Sequence, residues 1–144
     1  MSIRLNRKKL LCISFFLCCV LPACFSWFEN DSTNWSGLSM LELPLLVSTT
    51  LFALALLFER PQYMLPLGIL SHILLLVFLL NCFVSFPVIT GITAVRDLSL
   101  SWELVRPVYW LSLALLLVHL TLFTTTELAV QKLSKQFGSS TEKN

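Results

Sequence analysis

Apolar residues occur in long blocks along this chain, and charged residues are confined almost entirely to the gaps between the blocks. Four blocks carry at most one charge each: residues 10–28, 38–58, 63–86 and 107–127. A transmembrane helix needs roughly 20 predominantly apolar residues. Short polar links make consecutive helices antiparallel neighbours. The pattern therefore predicts an all-α membrane protein, a four-span antiparallel transmembrane helix bundle formed as one unit by residues 1–137.

The distribution of Lys and Arg predicts the orientation of this bundle. With both termini in the cytoplasm, the outer side keeps only Arg96 and Arg106 of the ten basic residues. The reverse orientation would expose most of the basic residues outside, against the positive-inside rule. We therefore expect an N-in, C-in protein of the bacterial cytoplasmic (inner) membrane. The cytoplasmic residues are Arg4, Arg7, Lys8, Lys9, Arg60, Lys132, Lys135 and Lys143.

The first apolar block has three interpretations. A basic flank followed by residues 10–28 is typical of a retained transmembrane helix, and also of a cleaved signal peptide. Within the block, Leu21-Pro22-Ala23-Cys24 resembles a bacterial lipoprotein signal, and that resemblance implies lipidation of Cys24. All three interpretations place the acidic segment that follows on the outer side of the membrane.

Breaker residues predict where the later elements end. Pro87 is expected to end the third helix because a proline cannot donate the next backbone hydrogen bond. Residues 97–104 alternate polar and apolar side chains, which predicts a strand or an extended segment on the membrane surface. The fourth helix is expected to stop at Gly138, leaving residues 138–144 as a disordered cytoplasmic tail.

Composition narrows the possible functions. The chain is 56 % hydrophobic and 12 % charged, with a net charge of +2, so the basic residues give no argument for binding nucleic acid. The five cysteines form no C-x-x-C pair, and the sequence predicts no metal site. No nucleophile or phosphate-loop motif is present, so no enzymatic activity is predicted. Cys24 and Cys82 have matching depths, which leaves a disulfide between them open.

Two histidines are the best candidates for a site. His72 and His119 lie at similar distances from the inner ends of antiparallel helices, so their side chains could meet within the membrane. One interpretation is a hydrogen-bonded imidazole pair that fixes helix register. The alternative is a pair of axial ligands to haem b in an electron-transfer protein.

Other polar and aromatic residues suggest packing surfaces. Polar groups in hydrocarbon tend to face the bundle interior. Residues seven apart share a helix face, which relates Ser112 and Thr126 to His119. Glu42 is the acid clearly within a span and the natural carrier for the alternative of small-solute transport, and Thr49 has small-residue spacing that permits close helix approach. The remaining candidates are Asn81, near the outer surface, and the tryptophans of the outer membrane interface, Trp27, Trp35, Trp102 and Trp110.

The function that follows is non-enzymatic. We expect a small multi-pass protein that acts through helix packing with another membrane protein or with its own copies. In size and span count the chain is similar to small inner-membrane immunity proteins of pore-forming bacteriocins and to accessory subunits of membrane complexes. The similarity is one of architecture and involves no shared motif.

Overall fold

The computed structural model describes residues 2–58 and 61–141, with side chains described for 7–58 and 62–133. Helices dominate, and a short two-stranded sheet follows the first of them. In chain order the elements are helix α1 Ser2–Phe15, a π-helical turn Phe16–Val20, a 3₁₀ turn Leu21–Cys24, strands β1 Ser26–Glu29 and β2 Asn34–Ser36, and helices α2 Gly37–Leu57, α3 Pro61–Ile89, α4 Leu98–Leu104 and α5 Pro107–Thr141.

Three helices within the described residues are long and apolar enough to cross a membrane. They are Gly37–Leu57, Gln62–Ile89 and Pro107–Leu133. Each of them coincides with a block predicted from the sequence, so the predicted helical class and three of the four predicted helices are confirmed. The α2 and α3 helices form a packed hairpin, and α5 lies against α3 and the first helical segment.

The first block differs from the predicted continuous helix over 10–28. The chain leaves α-helical geometry at Phe16, passes through the π-helical and 3₁₀ turns, and is extended from Ser26 onward. Pro22 lies in the first turn of the 3₁₀ segment. Because proline has no backbone N–H and its ring crowds the preceding turn, a regular ladder cannot continue through it. The helical part of this block therefore ends at Cys24, and Trp27 and Phe28 belong to a strand.

The polar segment after this block folds as a hairpin. Strands β1 and β2 pair antiparallel, with Glu29 opposite Asn34. The Asn30 side-chain carbonyl accepts hydrogen bonds from the backbone N–H groups of Ser32 at 3.0 Å and Thr33 at 2.8 Å. An Asn that bonds the backbone two residues ahead stabilises a tight turn. The hairpin is thus fixed locally, by its own sequence.

Residues 97–104 correct the expectation of a strand or extended segment, because they form helix α4. Asp97 is the N-cap, and its carboxylate accepts from the backbone N–H groups of Ser99 at 3.0 Å and Leu100 at 3.2 Å. A bond from the Ser99 hydroxyl and these backbone bonds hold the pKa of Asp97 below its ordinary value. An aspartate N-cap satisfies orphan helix donors, and alternation over so few residues cannot distinguish strand from helix.

The hairpin and α4 close one end of the bundle. The backbone N–H of Arg106 donates to the carbonyl of Trp27 at 2.7 Å, and Phe28 forms an isolated bridge with Val105. Arg106 also forms an ion pair with Glu29. We call the hairpin and α4 together the cap. It fastens the first outer segment to the start of α5.

Trp27 joins the cap to the helices. Its side chain is buried and lies directly over Gly37, where any Cβ would overlap the indole ring. The indole N–H donates to the carbonyl of Pro22 at 3.0 Å, and the ring meets Tyr109 edge-on. Packing therefore requires glycine at position 37, since a larger residue at the start of α2 would displace the indole.

Ion-pair and lysine contacts mark the opposite end of the bundle. The Lys8 ammonium donates to the carbonyl of Phe58 at 3.2 Å, and Arg7 lies 3.5 Å from the Glu127 carboxylate. The N-terminal basic residues, the end of α2 and the later part of α5 therefore lie together. The cap lies at the other end.

Two helices, α3 and α5, extend beyond their predicted ends. Helix α3 passes Pro87 and ends at Ile89, and Gly91 follows with φ of +72°. The N–H groups of Ile92 and Thr93 donate to the carbonyl of Pro87 at 2.9 and 3.0 Å, which closes the helix end in the manner of a left-handed glycine cap. Helix α5 continues through the predicted stop at Gly138 to Thr141. Residues 142–144 of the expected tail lie outside the described residues.

Gly68 is a tight contact that a mutation can test. A Cβ at this position would overlap the ring of Phe123. We expect Gly68→Ala to lower the free energy of unfolding by about 1–3 kcal/mol, the usual cost of overpacking a core. Thermal unfolding of the purified protein in detergent measures the change. In a Phe123→Leu background the same alanine should cost clearly less, and an equal cost in both backgrounds would contradict the steric explanation.

Candidate functional site

The two membrane-depth histidines meet at the centre of the helix bundle. His72 comes from α3 and His119 from α5, and both are buried. The Nε2 atom of His72 lies 2.7 Å from the Nδ1 atom of His119, and the rings are nearly parallel with centroids 5.0 Å apart. At this distance the two imidazoles share one hydrogen bond.

Oxygen atoms hold the outer nitrogen of each ring. The Nδ1 atom of His72 is 2.7 Å from the carbonyl of Gly68, one turn earlier on α3. The Nε2 atom of His119 is 2.9 Å from the hydroxyl of Ser14 on α1, and that hydroxyl also lies 3.0 Å from the carbonyl of Leu11. The histidine pair therefore connects three helices, since α1, α3 and α5 each supply one side chain to the same series of hydrogen bonds.

Three phenylalanines enclose the pair. Phe15 and Phe52 stack on each other with centroids 4.2 Å apart, and each meets both imidazoles edge-on. Phe123 stacks against His72. All three rings are buried, so the imidazoles lie in a dry, apolar shell. In such surroundings an unpaired polar group is costly, and the hydrogen bonds of the pair are correspondingly important.

Cys19 is the third chemical group at this centre. Its sulfur and one nitrogen from each imidazole all lie within 4.8 Å of one another, and all three side chains are buried. The residue lies in the π-helical turn, and a turn with i→i+5 bonding brings Cys19 toward the helix face that carries Ser14. No spacing in the sequence links Cys19 to either histidine, so its place at this centre follows only from the tertiary structure.

The geometry does not fit the haem alternative. Two axial iron–nitrogen bonds of about 2 Å each would place the ligating nitrogens about 4 Å apart, on opposite sides of a flat macrocycle. The facing nitrogens of His72 and His119 are 2.7 Å apart instead. The rings contact each other directly and leave no space for a porphyrin between them. A haem-based electron-transfer function is therefore not supported for this pair.

The other predicted polar residues lie in separate places. Ser112 is buried and donates to the carbonyl of Val108 at 2.7 Å, whereas Thr126 on the same helix is half-buried. Glu42 and Thr49 face outward on α2. Asn81 is exposed and accepts from the Ser85 hydroxyl at 3.4 Å. No hydrogen bond joins Glu42 and Asn81 within the described side chains.

The aromatic and cysteine predictions have mixed outcomes. All four tryptophans belong to the cap or to the helix turns next to it; Trp27 is buried, Trp35 is half-buried against Phe86, and Trp102 is exposed and stacked on Trp110. Cys24 and Cys82 are free thiols, so the disulfide left open by the sequence is absent from this structure. Cys24 is exposed, and its lipidation stays a prediction.

A buried ion pair, which no sequence motif indicates, joins α1 and α5. Glu127 is fully buried, 3.5 Å from Arg7, and neither of its carboxylate oxygens has a hydrogen-bond partner among the described side chains. Glu127 is the last residue of the fourth apolar block and follows directly after its uncharged run, and the surrounding sequence gives no sign that its carboxylate is buried. Only the packing of α1 alongside α5 shows that the carboxylate is covered by protein.

Comparison with known proteins adds no functional information, since no family model, curated protein sequence or solved structure matches this chain. The features of this chain that bear on its function are the chemistry of the buried centre and the faces that the helices leave open.

The ion pair gives a direct test of the α1–α5 contact. Arg7→Ala would leave the Glu127 carboxylate buried without its cation, and we expect it to cost on the order of 3 kcal/mol of unfolding free energy. The double variant Arg7→Ala/Glu127→Gln should recover most of that loss, because the uncompensated charge is removed. Lys9→Ala is the matched control, since Lys9 is exposed on the same helix and no hydrogen bond or ion pair of its ammonium is found among the described side chains, which predicts a change of about 0.5 kcal/mol or less. Equal losses from Arg7→Ala and Lys9→Ala in detergent unfolding would contradict this account.

Proposed function

We propose that this chain is a four-span, N-in, C-in protein of the bacterial inner membrane that acts without catalysis, by binding a transmembrane helix of another membrane protein on the outward face of α2. In this proposal the interrupted helical segment from Ser2 to Cys24 crosses the membrane in addition to α2, α3 and α5. The position of that segment supports the proposal, because it runs from the basic end of the bundle to the cap. The orientation follows from the positive-inside rule.

The observation that carries the proposed function is the composition of the open face of α2. Glu42, Leu46, Thr49 and Ala53 follow one another at helical spacing, and all four are exposed. The Thr49 hydroxyl donates back to the carbonyl of Leu45 at 2.7 Å, so it presents mainly its methyl group outward. Thr49 and Ala53 are small and lie four residues apart, a spacing that permits close approach of a second helix, which is how helices associate in lipid without a hydrophobic driving force.

The cap-proximal end of this face has a polar feature that a partner helix could satisfy. Within the described part of the chain, no hydrogen bond or ion pair reaches the Glu42 carboxylate. The helix is kinked at Leu41, and an open cleft lies beside Glu42 and Pro44. A carboxyl group near the membrane surface is stabilised by a donor in front of it. We therefore expect the partner helix to present a hydrogen-bond donor or a basic side chain at this depth.

A second copy of the chain fits the outward face of α2 less well than a different protein does. Two copies related by a two-fold axis would meet through the same face. Glu42 of one copy would then approach Glu42 of the other, and two like charges at the same depth repel each other. A partner of complementary chemistry avoids that repulsion.

Position-specific photo-crosslinking in the native membrane tests the docking face. A photo-reactive amino acid in place of Ala53 should yield a covalent product heavier than the 16.3 kDa chain by the mass of one partner. The matched control is the same amino acid in place of Val118, which is 52 % exposed on α5. The product at position 53 should be lost on Thr49→Leu, which fills the small-residue face. Equal products at both positions, or a product of twice the chain mass, would overturn the proposal.

The topology has its own test. Fusions of an enzyme that is active only outside the cytoplasm should be inactive at the C-terminus and active after Ala94, in the segment before the cap helix. Insertion of the same enzyme between the basic flank and Leu10 should leave it inactive. Activity at the C-terminus would contradict an even number of crossings.

A further inference from the structure

We propose that Cys19, His72 and His119 form a binding site for one Cu(I) ion at the centre of the bundle. The three side chains are contributed by different helical segments and converge with their ligand atoms within 4.8 Å of one another. The site is independent of the docking face on α2 and uses none of its residues.

The hydrogen-bond chain determines which ring nitrogens are available. A carbonyl only accepts, so the Nδ1 atom of His72 must carry the hydrogen that is donated to Gly68. In the neutral ring the Nε2 atom of His72 then has a free lone pair, and that lone pair points at His119. The peptide backbone thus fixes the tautomer of His72 as the one that a metal ligand requires.

His119 can reach the same state by a change of tautomer. The Ser14 hydroxyl has a single hydrogen and lies within bonding distance of both Leu11 and His119. When it donates to the Leu11 carbonyl, the Nε2 atom of His119 donates to the Ser14 oxygen, and the Nδ1 atom has a free lone pair. Two lone pairs then face each other across 2.7 Å, an arrangement that is stable only with a positive ion between them. When the hydroxyl donates to His119 instead, the two rings share a hydrogen bond and the site is closed.

Cys19 completes the ligand set. Its side chain is buried, and no hydrogen bond of its thiol is found within residues 7–58 and 62–133. Binding breaks the S–H bond of Cys19 and forms a copper–sulfur bond, the proton passes to water, and no electron is transferred. The facing imidazole nitrogens must separate from 2.7 Å to roughly 3.4 Å, the span of two bonds of about 2 Å at a trigonal angle. Binding therefore requires the two rings to move apart by roughly 0.7 Å within their aromatic shell.

Charge and coordination number select the metal. One thiolate neutralises Cu⁺ completely, whereas a divalent ion would keep a net positive charge in an apolar shell, where an uncompensated charge is costly. Thiolate and imidazole ligands suit a soft cation, and a trigonal Cys–His₂ set is characteristic of copper. Zn²⁺ also requires a fourth ligand. The nearest buried carboxylate, that of Glu127, is eight residues beyond His119 on the same helix, about 12 Å along its axis.

The surroundings match those of a protected metal site. In the metal-binding tautomers each imidazole would donate its outer N–H to an oxygen, His72 to the carbonyl of Gly68 and His119 to the hydroxyl of Ser14, which is how proteins orient metal-binding histidines. Phe15 and Phe52 shield the rings from water. A bound Cu(I) ion would be held away from oxidants dissolved in water.

Competition for Cu(I) tests the site. The purified protein in detergent is titrated anaerobically against a Cu(I) complex of a chromophoric chelator, and we expect one copper per chain to transfer. Cys19→Ser and His119→Ala should each weaken binding at least 100-fold. Cys18→Ser and Cys82→Ser are the matched controls, since neither sulfur belongs to the site, and they should bind as the unmodified chain does. Loss of binding in these controls, or retention of binding in Cys19→Ser, would overturn the proposal.

Two further measurements distinguish loss of the copper site from loss of the folded structure. Ser14→Ala preserves all three ligands and removes only the orienting oxygen, so it should weaken binding by about 10–100-fold while one copper still binds. X-ray absorption of the loaded protein should show one sulfur and two nitrogen neighbours. A shell of sulfur atoms alone, stronger binding of Zn²⁺ than of Cu(I), or unchanged affinity in Ser14→Ala would each refute the assignment.

Discussion

The contact between His72 and His119 is the interaction on which the rest of the structure depends. Most side chains around it are aliphatic or aromatic and give the bundle cohesion without a preferred register. A hydrogen bond of 2.7 Å between buried rings on α3 and α5 allows only one relative height of those helices. The Ser14 hydroxyl extends the same constraint to α1. Removing one member would leave the others unpaired in an apolar medium, so the chain of bonds acts as a unit.

The two ends of the bundle are closed by different means. At one end Arg7 meets the buried carboxylate of Glu127, which joins the first and last helices. At the other end the cap relies on backbone hydrogen bonds and on Trp27, whose indole is held between Pro22 and Gly37. Pro22 is important here because it ends the first helical segment early enough for the chain to turn into a strand. The interruption of the first block is therefore what makes the cap possible.

The same interruption shapes the central site. The π-helical turn before Pro22 places Cys19 beside the histidine pair, so the irregular stretch contributes both the start of the cap and the only sulfur of the centre described here. π-helical turns occur frequently at functional sites. By contrast, α2 leaves Thr49 and Ala53 exposed on its outward face and contributes Phe52 to the shell around the imidazoles. The inner faces thus build the centre, and the outer face of α2 is left open.

The sequence by itself determined three apolar helices, α2, α3 and α5, and their ends to within a few residues, because their length and lack of charge leave few alternatives. The first block, in contrast, is not the continuous helix that its composition predicts. The sequence also placed His72 and His119 at one depth, since helical rise converts residue number into height. Tertiary structure decided what spacing cannot encode: the approach of Cys19 and Ser14, the burial of Glu127, and the ring contact that is too close for haem. It also made residues 97–104 helical, because the N-cap interaction of Asp97 outweighs an alternation of polar and apolar residues that is too short to be specific. Those outcomes depend on which faces meet across separate helices, and a linear pattern carries no information about that pairing.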